Sequence, residues 1–359
     1  MESNTLQNIK SYYQSIKFVY PLMRYNAESY SSLKNNTQYY KGINGENPPV
    51  RILTPQNHRE RVVIIFPGAS PIGENHPKML MLGQVLTRNG FKVYIPRIPP
   101  LINLDITVIN VQWFTYFYKW IINSERVNPQ QILMAGISYG GGLMLRMLQE
   151  INGRIPPPKS IMTFGTYSDV QSLLQYFLTG NLSVNGKQIH IPPNEWGLVV
   201  LFQNYLKNLK TNWDSSELQK AIQLTIEDNN NECEIQIAKL PNFQKDIFNS
   251  IISGKATPEV KKLAQAIFKN EEESLKKLSP KHWSKEISGK VFILHGAHDS
   301  MVPFTESVQL AEYLQNSELY ISYLYEHKEI FSNGGVIFKF GELLKLLQFY
   351  SKLFYHYEN

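Results

Sequence analysis

Cysteine is almost missing from this chain. Cys233 is the only one, so no internal disulfide can form and no cysteine-based zinc site can be assembled. Long apolar runs are missing too. No segment reaches about eighteen consecutive apolar residues, the length a membrane-spanning helix needs. The first residues, Met1-Glu2-Ser3-Asn4-Thr5, lack a basic stretch followed by an apolar core, so no secretory signal is read there. Together these absences predict a cytoplasmic protein without a membrane span. Blocks of like charge are absent as well. The 36 Lys and Arg stand against 30 Asp and Glu, a net charge of +6, and the excess is spread along the chain. That argues against a nucleic-acid-binding arm and against nucleic acid as a partner. There is no internal repeat. The sequence leaves the oligomeric state open.

What is present suits a packed globular fold. Hydrophobic residues make up 43% and charged residues 18% of 359 positions, enough for one large domain or a domain with a sizeable insertion. Residues 1–38 read as a polar, helical or irregular extension. Lys10 to Tyr25 is rich in Tyr and Phe, with Lys10, Lys17 and Arg24 interspersed. That pattern suits either a helix lying on a membrane surface or one packed on the domain, and packing is the preferred reading. Gln38–Ile43 and Val50–Leu53 read as short strands around an Asn44-Gly45 turn.

A regular alternation follows. Strands are predicted at 61–66, 91–95, 131–137 and 160–165, with helices at 77–88, 111–123 and 139–151 between them. The aromatic stripe Trp113, Phe114, Phe117 and Trp120 has helical spacing and reads as core. From Val170 to about Lys285 the alternation breaks into helix-like, polar sequence with loops around 180–193. Then it resumes with strands at 290–294 and 319–325 and helices at 305–314 and 335–354. Strand–helix alternation implies a mostly parallel central sheet with helices on both faces. Ligands of such sheets bind outside the carboxyl ends of the strands.

One of those ends carries Gly136-Ile137-Ser138-Tyr139-Gly140. A serine on a sharp strand-to-helix turn exposes its hydroxyl, and small neighbours let the backbones close around it. The first N–H groups of the helix then point where negative charge develops in acyl transfer. The plain alternative is a glycine-rich helix start packed on a sheet. A serine nucleophile needs a base, and the base needs an orienting acid. Of the eight histidines, His327 fits the base best, since it follows a strand at the same sheet edge. His295 reads as a turn-shaping residue, His356 lies at the C-terminal end, and His190 and His282 fall in the irregular stretch. Asp299, in His295-Gly296-Ala297-His298-Asp299, is the acid candidate. Asp169 is the alternative acid, with a helix-capping role as its plainer reading.

The order Ser138, Asp299, His327, with the Gly-x-Ser-x-Gly elbow, resembles the α/β-hydrolase superfamily. His295-Gly296-x-x-Asp299-x-x-Val302-Pro303 is similar to that family's acid-bearing loop. The resemblance covers residues 39–169 and 286–359 and implies that 170–285 is a helical cap, or lid, inserted after the sixth strand. It also implies an oxyanion hole formed by the N–H of Tyr139 and a donor from the loop Pro67-Gly68-Ala69-Ser70. Ala69 is the first choice there and Ser70 the second. Many members carry His-Gly where this chain has Pro67-Gly68; proline supplies no N–H, but the donor lies later in the loop.

The implied activity is a serine hydrolase working through an acyl-enzyme. A carboxylic-ester hydrolase, esterase or lipase-like, heads the candidates, with a small acyl substrate of apolar character. Acyl transfer, thioester or peptide hydrolysis on the same triad, and a non-catalytic binding protein on this fold, are the alternatives. The chemistry requires no organic cofactor and no metal, and no metal-ligand spacing is present.

Overall fold

The computed structural model describes residues 2–56, 60–184, 186–324 and 335–359. Its centre is an eight-stranded sheet. The strands are β1 (Lys34–Tyr39), β2 (Pro49–Thr54), β3 (Val62–Phe66), β4 (Lys92–Pro96), β5 (Ile132–Ile137), β6 (Ser160–Phe164), β9 (Val291–Gly296) and β10 (Ser317–Ser322), in the spatial order β1-β2-β4-β3-β5-β6-β9-β10. β1 and β2 pair antiparallel, and β2 runs antiparallel to β4. From β4 through β10 every pairing is parallel. The carboxyl ends of β3, β5, β6, β9 and β10 therefore lie along one edge.

β3 shows how the sequence builds the layers. All five residues of Val62-Val63-Ile64-Ile65-Phe66 are buried, as a strand covered on both faces requires. Their side chains alternate. Val62, Ile64 and Phe66 enter one apolar core, and Val63 and Ile65 enter the other. The first core takes in α4 (Ile109–Asn123) and α5 (Tyr139–Ile151); Phe114 stacks on Phe66 at 4.2 Å. The second core lies under α1 (Glu2–Met23), α2 (Pro77–Arg88) and α14 (Val336–Glu358). α2 starts with Pro77 at its first turn and with His76 Nδ1 accepting the Lys78 N–H, a pre-organised helix start.

Between β6 and β9 stand α6 (Val170–Thr179), α7 (Trp196–Tyr205), α8 (Ser216–Ile226), α9 (Asn230–Lys239), α10 (Asn242–Ile252), α11 (Pro258–Asn270) and α12 (Glu272–Leu278). Their apolar faces, including Phe202, Ile222, Ile251 and Ile267, join the core of α4 and α5. α13 (Phe304–Tyr313) connects β9 to β10, and the one-turn α3 (Pro99–Ile102) follows β4.

Two local expectations are corrected. The first strand is Lys34–Tyr39, not 38–43, so the sheet begins inside the stretch read as an extension. Its side chains are exposed throughout, which left no apolar alternation to find. The stretch 180–193, read as loop, holds a hairpin of β7 (Asn181–Val184) and β8 (Lys187–His190). Its strands are short and polar, and Gly186 at φ 77° takes the left-handed turn position. The N-terminal segment, read as polar and helical or irregular, is helical as α1 and packs on α14: Phe18 meets Tyr350 edge-on at 4.7 Å, and Ser11 bonds Ser351 at 3.0 Å.

Candidate active site

Ser138 sits between the end of β5 and the start of α5 with φ 52° and ψ −128°. A non-glycine residue held there stores about 1–3 kcal/mol of strain. Three bonds hold it. Its N–H donates to Phe164 O at 2.7 Å, and its carbonyl accepts from Gly141 N at 3.0 Å and Thr166 Oγ1 at 3.1 Å. The half-buried Ser138 hydroxyl has no hydrogen-bond partner among the described residues.

The glycines around it are explained by what a side chain would strike. A Cβ on Gly140 would lie 2.0 Å from the Pro67 carbonyl oxygen. On Gly141 it would lie 1.9 Å from Thr166 Oγ1, and on Gly142 2.4 Å from the Tyr167 ring. A Cβ on Gly136 would meet Gly141 Cα at 2.6 Å. The triple glycine thus admits the loops after β3 and β6 against the first turn of α5. Gly68 lies at the serine itself: a Cβ there would be 3.1 Å from Ser138 Cβ and 3.7 Å from its Oγ.

This closeness brings Pro67-Gly68-Ala69 to the Ser138 hydroxyl. Ala69 N–H has no acceptor among the described residues, and Tyr139 opens α5, where N–H groups lack helical partners. The N–H of Ser70, the second choice, bonds Leu101 O at 3.0 Å.

The Tyr139 side chain is anchored. It stacks on Tyr167 at 5.3 Å, and its hydroxyl donates to Ile106 O at 2.6 Å. Burial holds its phenol well above the ordinary tyrosine range, so it remains a neutral donor. Asn204 of α7 secures the same loop, accepting from Ile106 N at 2.9 Å and donating to Leu104 O at 2.9 Å. One loop, 101–106, therefore ties the Ser70 turn, α5 and α7 together.

Asp299 is almost completely buried beyond β9. Its Oδ1 accepts from Met301 N at 2.8 Å and Val302 N at 2.9 Å, and its Oδ2 lies 3.5 Å from His295 Nε2. His295 closes β9 with Nε2 2.8 Å from Val302 O and Nδ1 2.6 Å from Ser307 Oγ. A carbonyl only accepts, so Nε2 carries a proton. Ser307 Oγ also meets Thr166 O at 3.0 Å. Thr166 in turn bonds Ser138 O, so a chain of hydrogen bonds runs from the loop after β9 through His295, Ser307 and Thr166 to the serine turn. Tyr176 of α6 donates to Ser300 O at 3.2 Å, and Asn194 N does so at 2.8 Å, so the segment between β6 and β9 also touches the loop that carries Asp299.

Asp169 caps α6. Its Oδ1 accepts from Gln171 N at 3.1 Å and from Ser279 Oγ at 3.1 Å, and its Oδ2 pairs with Lys281. His327 lies outside the described residues. β10 delivers the chain to the carboxyl edge at Ser322, and Tyr323 and Leu324 follow. Reasoning from sequence missed Thr166, Ser307 and Asn204, which have no motif around them. Thr166 had one signal, its place just past the end of β6.

No family model matches the chain, and no curated protein does. Solved structures do. An acylaminoacyl peptidase in complex with Z-Gly-Gly-Phe-chloromethyl ketone is 13% identical with a TM-score of 0.52, over 93% of this chain and 43% of its own. The uncomplexed Pyrococcus horikoshii acylaminoacyl peptidase is 14% identical at 0.50, again over 93% and 43%. An esterase/lipase from an uncultured bacterium is 11% identical at 0.48, over 90% of this chain and 86% of its own. The chain spans less than half the length of the two peptidases. Their likeness, with the mostly parallel sheet and its helices, shows an α/β-hydrolase fold.

Proposed function

We propose that this chain is a serine hydrolase acting through an acyl-enzyme, and within that class a carboxylic-ester hydrolase. The observation that carries the reading is Ser138 at φ 52° on a strand-to-helix turn, with the Pro67–Ala69 loop against it. In the proposed reaction Ser138 Oγ attacks the acyl carbonyl carbon as His327 takes its proton. The N–H groups of Tyr139 and Ala69 receive the oxyanion. Asp299, oriented by Met301 N and Val302 N, fixes the imidazole and stabilises its charged form. The imidazolium protonates the leaving alkoxide, and water then releases the acid by the reverse path. Residues 170–285 act as a cap over an apolar acyl group; α7 reaches the 101–106 loop that also holds the Tyr139 hydroxyl.

Fluorophosphonate labelling tests the nucleophile. Folded protein should be labelled at Ser138, and Ser138→Ala should abolish both labelling and turnover. An unlabelled folded protein beside a labelled control hydrolase overturns the proposal. A panel of esters, thioesters and peptide amides then fixes the acceptor class; amides belong in it because the two peptidases share the fold. Faster cleavage of amides than of matched esters overturns the ester assignment while leaving the nucleophile intact.

A further inference from the structure

α1 uses only one face to hold the domain. Ser11, Ser15, Phe18, Val19 and Leu22 are buried against α14 and the core behind it. At about 100° per residue, the opposite arc holds Ile9, Tyr13, Ile16 and Tyr20. They are 63%, 61%, 44% and 56% exposed, so domain packing leaves this apolar stripe unexplained. Ile9 and Ile16 are seven residues apart, as are Tyr13 and Tyr20, which keeps the stripe straight along the helix. Lys10, Lys17 and Arg24 repeat at the same interval along one flank. Lys17 Nζ lies 5.5 Å from the Tyr13 ring centre and Arg24 Cζ 5.3 Å from that of Tyr20, so two of the cations border the stripe. Lys10 reaches Glu358 at 3.7 Å. From Ser3 to Ala27 the sequence has no Asp or Glu.

We propose that this face of α1 docks on the surface of an anionic lipid bilayer. Isoleucines would enter the boundary between headgroups and chains. Tyrosines suit that depth because the ring is apolar and the hydroxyl stays wet. Lys17 and Arg24 would meet lipid phosphates, the charge pattern of an interfacial helix. Charge decides against a second copy of the chain as the occupant. In an antiparallel pair the two basic flanks would lie side by side. In a parallel pair each would face a flank without a carboxylate.

The test is co-sedimentation of the full chain with vesicles of phosphatidylcholine alone or mixed with phosphatidylglycerol. The wild type should bind the anionic vesicles at least thirtyfold more tightly and should release at high salt. Lys17→Gln/Arg24→Gln should weaken anionic binding about thirtyfold, from roughly a fivefold loss per charge. Tyr13→Ser/Ile16→Ser/Tyr20→Ser should abolish binding while its thermal melt stays cooperative, because these side chains carry no core packing. Equal binding to both vesicle types, or none above background, overturns the proposal. So does a concentration-dependent dimer in sedimentation equilibrium that the triple variant dissolves, since a second copy would then own the face. Ester turnover is not part of the readout, so the result stands apart from the catalytic reading.

Discussion

Gly140→Ala separates a catalytic turn from an ordinary helix start. In an open helix this change stabilises by about 1 kcal/mol, because alanine loses less backbone entropy. Here the new Cβ would sit 2.0 Å from the Pro67 carbonyl oxygen and 2.8 Å from its carbon. Real Cβ contacts stay beyond 3.0 Å, so the loop must retreat by about 1 Å or the helix must shift. Both obstacles are backbone and give way only at a cost. Overpacking of this kind costs about 1–3 kcal/mol, leaving a net loss of up to about 2 kcal/mol and a fall of a few degrees in Tm. The catalytic cost is larger. The loop that moves carries Ala69, the proposed oxyanion donor, and Gly68, which touches the serine. Misplacing reacting groups by 1 Å costs on the order of a hundredfold, and losing one oxyanion donor costs as much or more. Hydrolysis of a p-nitrophenyl ester should therefore lose about a hundredfold in kcat with KM little changed, beside a thermal melt that remains cooperative. Full activity with a raised Tm would refute the reasoning, because that is how an uncrowded helix glycine behaves.

Other changes probe separate parts of the site. Asp299→Asn should lower ester turnover by on the order of a thousandfold or more without unfolding the protein, because one oxygen can still accept from Met301 and Val302; retained turnover removes Asp299 as the acid. Asp169→Ala should leave turnover within a few-fold and cost about 1 kcal/mol in urea denaturation, since the residue caps α6 and pairs with Lys281. Ser307→Ala should destabilise by about 1–3 kcal/mol by leaving His295 Nδ1 and Thr166 O short of a partner. His356 is pushed below the ordinary histidine range by burial first and by Lys159 and Lys290 second. The unfolded chain therefore takes up the proton more readily. Stability is full above about pH 6.5 and is lost as pH falls through that value toward the folded-state pKa. His356→Phe should flatten the change in Tm between pH 8 and pH 5, and an unchanged slope would assign the loss to another group.

The sheet was legible wherever burial forces a pattern. Val62–Phe66 is covered on both faces and Ile132–Ile137 nearly so, and an uninterrupted apolar run can hardly be anything but a central strand. Pro77–Arg88 announced itself through a proline at its start and Asn89-Gly90 at its end. β1 and the β7–β8 hairpin were illegible because their strands bury little and draw their order from partner backbones. At the site, Ser138 and Asp299 carried local motifs. Thr166 and Ser307 carried none, because their roles arise from contacts made 28 and 141 residues away. The bond from Ser70 N–H to Leu101 O was illegible for a similar reason: its acceptor comes from beyond the next strand.

The strain at Ser138 gives the bonds around it a purpose beyond stability. Holding that φ costs about 1–3 kcal/mol, and each hydrogen bond returns about 1 kcal/mol. Three such bonds converge on the one residue, from Phe164 O, Gly141 N and Thr166 Oγ1, so the turn is held with little to spare. Two of the three partners lie at or just beyond the end of β6, and only Gly141 belongs to the helix that the serine opens. The neighbouring strand is therefore what keeps the elbow sharp. Thr166→Val isolates its share, because valine keeps the shape that fills the space above Gly141 and removes only the hydroxyl. It should cost about 1 kcal/mol in urea denaturation and slow fluorophosphonate labelling of Ser138 several-fold. Unchanged labelling at the reduced stability would mean that the other two bonds hold the turn alone.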